Sequence, residues 1–143
     1  MKNNFASVLD GLMIETATDT NKLAACLGVT VQSVNNWRRG SRGDMSLSTL
    51  IAICNFFGCS LDYLVGLTDQ DKKTNKIAFD NFGKRVREIM KIKGITTYRI
   101  RKETRFGGNH FHDWNNGADP KLSTLIELAG YFKCSLDELV GLE

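Results

Sequence analysis

At 143 residues, 42% of them apolar, the chain can hold one domain or two small ones, and it is too apolar to be disordered by composition. Its formal charge of +3 is mild, and a single proline with no alternating β-branched run points to an all-α protein. No apolar stretch is long enough for a signal peptide or a membrane span, so a cytoplasmic location and no membrane partner are expected.

Charge is unevenly spread: residues 1–70 carry five Lys/Arg against six Asp/Glu, residues 76–143 twelve against nine. Phe5, Val8, Leu9 and Leu12 follow the spacing of a first amphipathic helix. Asp19 can cap a second helix, in which Leu23, Ala24 and Leu27 supply an inward face. Gly28 suits the left-handed turn that ends it. Thr30 then caps a third helix whose inward side is Val34 and Trp37. The outward side of that helix is Gln32, Asn35, Asn36 and Arg39, side chains able to hydrogen-bond base edges from a rod that fits a major groove. A basic turn, Arg38 to Gly43, leads to a fourth helix through Leu47, Leu50, Ile51, Cys54 and Phe57, and Ser60 caps a short fifth.

The chain then repeats itself. Residues 47–67 match residues 122–142 at 14 of 21 positions without a gap, and Trp37 matches Trp114 with two extra residues in the first copy's following loop. The polar piece 68–76 reads as a linker, after which Phe79, Phe82, Val86 and Ile89 open a new amphipathic helix. Ser135 and Glu138 have the spacing of a capping box. Cys26, Cys54, Cys59 and Cys134 lack paired metal-site spacing and read as buried free thiols. His110 and His112, two apart, point to different sides of a helix, so no metal site is expected. No catalytic constellation is recognisable, and neither an enzyme nor a cofactor is expected.

Residues 20–40, through Leu23, Ala24, Gly28, Val29, Thr30, Val34, Trp37 and Gly40, resemble the helix-turn-helix of the lambda-repressor-like (Cro-type, XRE) family. Residues 46–67 look like that family's fourth and fifth helices. The resemblance implies two tandem five-helix domains, 1–67 and 77–143, joined by 68–76. It also implies a double-stranded DNA partner, in a bacterial or phage-infected cell and associated with the nucleoid. By the same resemblance, Gln32, Ser33, Asn35 and Asn36 face bases. Arg38, Arg39, Ser41 and Arg42, with Thr20 and Asn21 at the start of the second helix, are the expected phosphate contacts.

The second copy departs from the pattern. Aligned on tryptophan, Arg101 takes the place of Ala24 and Arg105 that of Gly28, while Gly107-Gly108 loses the cap that Thr30 supplies. A guanidinium at the Ala24 place must pair or reach solvent. The outward face becomes Asn109, His112, Asp113 and Asn116. With Arg99, Arg101, Lys102, Arg105, Asn109, His110 and His112 the second copy is expected to offer either a DNA surface or a dock for a protein partner. The leading expectation is a sequence-specific repressor of phage or mobile-element type. A protein-interaction inhibitor of antirepressor or anti-CRISPR type, using the same fold as scaffold, is the alternative. Tyr63, Leu64, Leu67, Leu139 and Leu142 could form a homodimer face, or the two copies could pack as an internal pseudo-dimer.

Overall fold

The structure, a computed structural model, describes residues 5–40, 45–68 and 81–140. The expected linker apart from Thr68, Phe79 and Leu142 lie outside the described residues, as do Ser41 and Arg42. The chain divides into two compact units, Met1–Ile77 and Ala78–Glu143. Each contributes five helices among the described residues, with no strand, so the all-α tandem architecture holds.

The first unit contains α1 (Phe5–Glu15), α2 (Thr20–Leu27), α3 (Val31–Arg39), α4 (Leu47–Phe57) and α5 (Leu61–Leu64). Its core takes Phe5, Leu9, Leu12 and Met13 from α1, Leu23 and Ala24 from α2, and Val34 and Trp37 from α3. The caps fix where the helices start. Asp19 accepts the Lys22 amide at 2.7 Å and Thr30 accepts the Ser33 amide at 3.1 Å, so two otherwise orphaned donors are satisfied. Gly28 takes φ 70°, where its backbone N–H closes onto the last carbonyls of α2 and turns the chain into α3.

The second unit contains α6 (Phe82–Lys93), α7 (Thr97–Glu103), α8 (Gly108–Asn115), α9 (Leu122–Phe132) and α10 (Leu136–Leu139). Phe82, Phe106 and Phe111 each set an aromatic ring against Trp114, at centroid distances of 5.1, 5.6 and 5.4 Å. Arg105 at the Gly28 place does not need a left-handed backbone. Helix α7 stops a residue earlier than α2, at an extended Thr104 whose hydroxyl donates to the Ile100 carbonyl at 2.6 Å and accepts from the Phe106 amide at 3.1 Å.

Two expectations are corrected. Cys26 is exposed, whereas Cys54 and Cys59 are buried and Cys134 is half-buried. Cys26 lies two residues past buried Ala24, about 200° round the helix from it. Leu64 and Leu139 are fully buried in the folded chain and offer no free face to a second copy. The single-turn α5 and α10 direct them inward, α5 packing on α1 and α4, and α10 on α6 and α9.

Candidate nucleic-acid interface

Val34 and Trp37 anchor α3 to the core, and the opposite side of the helix is polar. Gln32 and Arg39 are exposed; Ser33, Asn35 and Asn36 are half-buried. Gln32 Nε2 donates to Asn36 Oδ1 at 3.1 Å, one turn along. The link holds both amides on one line and leaves the Gln32 oxygen as acceptor and the Asn36 nitrogen as donor, the complement of an adenine's N6–H and N7 edge. Ser33 Oγ lies 2.9 Å from the Thr30 hydroxyl and so belongs to the helix cap as well as to the reading face. Val31 is 41% exposed in the first turn, beside Gln32. A valine three residues before buried Val34 has the spacing of a core position, so nothing in the sequence alone marks Val31 as exposed.

Among the expected phosphate contacts, Arg38 is already engaged. Its Nε and Nη2 donate to Asp10 Oδ1 at 2.8 and 2.5 Å, and Nη1 donates to Thr20 Oγ1 at 3.1 Å. The guanidinium thus ties the C-terminal turn of α3 to α1 and to the start of α2. Thr20, half-buried, is used in that clamp, which leaves Asn21 and Arg39 as the exposed members of the set among the described residues.

In the second unit the basic residues separate into engaged and unengaged groups. Arg99 pairs with Glu103 at 3.2 Å, and Arg105 pairs with Glu127 at 2.9 Å while its guanidinium lies 4.4 Å from the Phe106 ring centroid. Glu103 also accepts the Tyr131 hydroxyl at 2.7 Å. That hydrogen bond, then Arg99 and the Lys102 charge, hold the Glu103 carboxyl below its ordinary range against opposing desolvation. Desolvation, then Glu103, pushes the Tyr131 hydroxyl up. Lys102 Nζ stands 6.0 Å from the exposed Tyr98 ring. Arg101 reaches solvent, which resolves the cost of a cation at the Ala24 place.

His110 is corrected from a surface residue to a half-buried one. Its Nδ1 accepts the Gly107 amide at 3.1 Å, tying the start of α8 through the opposite pair of groups from the Thr30 cap, and its ring packs edge-on against Phe106. Asn109, His112, Asp113 and Asn116 are exposed along α8 as expected, with His112 Nε2 and Asn116 Nδ2 3.1 Å apart. Among the described residues no group of three His, Cys, Asp or Glu could hold a metal ion, and no helix is long and apolar enough to cross a membrane.

The family model described as the Cro/C1-type HTH DNA-binding domain matches this chain twice, over residues 8–70 and 85–143. Both matches include the turn and the polar-faced helix described above. A crystal structure of a transcriptional regulator from Listeria innocua is similar at 20% identity and a TM-score of 0.45, over 71% of this chain and 87% of that one. No curated protein matches.

Proposed function

The chain belongs to the Cro/C1-type helix-turn-helix DNA-binding family, and on that premise we propose that it is a sequence-specific transcriptional regulator, a repressor of phage or mobile-element type acting by promoter occlusion. The observation that carries this reading is the linked Gln32–Asn36 pair on the exposed side of a helix whose other side is locked by Val34 and Trp37. A major groove admits such a helix, and each bidentate amide–adenine pair gives roughly 1–3 kcal/mol of discrimination. Arg39 and Asn21 then meet phosphates on either side, fixing register without reading sequence. One unit of this size makes few base contacts, so useful specificity requires a second reading head, from a partner chain or from the second unit.

The test is selection of binding sites from a random duplex pool by the intact chain, followed by a salt titration on the selected site. The reading expects one preferred sequence and a log–log salt slope of about −0.9 per neutralised phosphate. Equal binding to every duplex would reject it.

A second reading keeps the fold but gives the second unit a protein partner, in the manner of an antirepressor or anti-CRISPR inhibitor. Ile92 and Tyr98 favour it, being 74% and 70% exposed among the basic residues of α6 and α7. A stoichiometric protein partner, together with no preference for any duplex, would select this reading over the first.

A further inference from the structure

The two units differ at one place in a correlated way. Where the first has small, buried Ala24 and exposed Val31, the second has Arg101 and Gly108. A Cβ added at Gly108 would lie 2.9 Å from Arg101 Nη2 and 3.8 Å from its Cζ, so the guanidinium occupies the space that Val31's side chain fills in the first unit. It is delivered there from α7, the neighbouring helix, through the gap that glycine leaves.

There the guanidinium is solvated but gains no protein partner among the described residues of the free chain. The first turn of α8 is the positive end of its dipole, and no carboxylate among the described residues pairs with Arg101. Arg99 and Arg105, its neighbours on the chain, are both spent on glutamates. The guanidinium is therefore available to an electron-rich partner, at the part of a reading helix whose residues meet base edges.

We propose that Arg101 reads a guanine, so that the two units recognise half-sites of opposite base composition. This rests on the DNA-binding reading above and takes the second unit as the second head. In the first unit, Gln32 and Asn36 suit adenine, and Val31 offers an apolar contact to a thymine methyl. In the second, the planar fork of Arg101 matches guanine O6 and N7, and Asp113, at the Asn36 place, accepts from a cytosine N4 amino group. The operator is then inherently asymmetric, and a single chain binds it in one orientation.

The experiment is site selection with the intact chain, comparing wild type with Arg101→Ala, Arg101→Lys and Gly108→Val, and with 7-deazaguanine placed at the selected guanines. Arg101 is exposed, and unchanged melting curves confirm that the variants fold. The expected result is that Arg101→Ala weakens binding roughly 5- to 150-fold on the selected site and relaxes one guanine position, leaving the adenine positions intact. Arg101→Lys fails to restore that preference, Gly108→Val displaces the guanidinium with the same outcome, and 7-deazaguanine at that position costs the wild type but not Arg101→Ala. A uniform loss across all sequences, with the salt slope reduced by about one, would make Arg101 a phosphate contact and overturn the proposal. An Arg101→Ala profile identical to wild type would overturn it too. Both results leave the DNA-binding function standing, whereas a wild-type chain that selects no sequence removes that function and the proposal with it.

Discussion

Asn115 stands against Gly83 so closely that a Cβ on the glycine would lie 2.6 Å from the asparagine's backbone nitrogen and 2.8 Å from its Cα. Both neighbours are backbone atoms, so neither can swing aside. The contact sets the approach of α6 to the C-terminal end of α8, and Asn81 Nδ2 supports it by donating to the Asn115 carbonyl at 3.1 Å. Gly83→Ala would ordinarily strengthen a helix by about 1 kcal/mol. Here overpacking costs about 1–3 kcal/mol, and the net effect is a loss. Chemical denaturation of the variant checks the sign: its second-unit midpoint falls, and a rise would mean that α6 and α8 are further apart than described.

Arg38 and Arg39 are adjacent in sequence but serve different purposes. Arg38→Ala breaks the link to Asp10 and Thr20 and is expected to destabilise the first unit. A double-mutant cycle with Asp10→Ala should return a coupling of about 0.2–1 kcal/mol, since both side chains are partly exposed, at 32% and 41%. Arg39→Ala should leave stability unchanged and reduce the salt slope of DNA binding by about 0.9. Zero coupling in the cycle would show that the ion pair does not form in solution.

The start of the reading helix depends on Thr30. Thr30→Ala leaves the Ser33 amide without its acceptor and is expected to cost about 0.5–2 kcal/mol. Gly107 has no side chain to accept the amide three residues on, but its own amide donates to the His110 ring, so His110→Ala should destabilise the second unit through the freed Gly107 amide. Thermal melts of the two variants would locate each effect; a stable His110→Ala protein would show that the Gly107 amide has another partner.

The Glu103–Tyr131 hydrogen bond has a defined pH window. The glutamate's pKa is lowered by folding, so its contribution is present above the unfolded value and is lost as pH falls through the folded one. The tyrosine's is raised, so its contribution is lost as pH climbs through the folded phenol value. Tyr131→Phe should return the Glu103 carboxyl toward its ordinary range, which an NMR titration of that carboxyl reads directly. An unchanged titration would mean that Arg99 and Lys102 hold Glu103 down without the tyrosine.

What could be read from the sequence was what is local and periodic. Leu23, Val34 and Trp37 announce their inward faces by spacing, and Asp19, Thr30 and Ser60 announce helix starts by their side-chain oxygens; all six behave accordingly. What stayed hidden depended on contacts between distant segments or on a substitute for a missing motif. Arg38 reads as one more cation in a basic turn until α1 brings Asp10, 28 residues earlier, beside it. Arg105 reads as a disrupted turn because nothing in the usual glycine pattern anticipates Thr104 ending α7 early. The displacement of Arg101 over Gly108 needs both helices placed before it has any meaning.

The central claim is that the outward side of α3 reads bases, and binding-site selection with the Gln32→Ala, Asn36→Ala double variant tests it most directly. The account predicts a folded protein that keeps its salt-dependent affinity for duplex DNA and loses discrimination at the adenine positions, by roughly 1–3 kcal/mol for each lost pair. A double variant that recovers the same sequence with undiminished preference would contradict it.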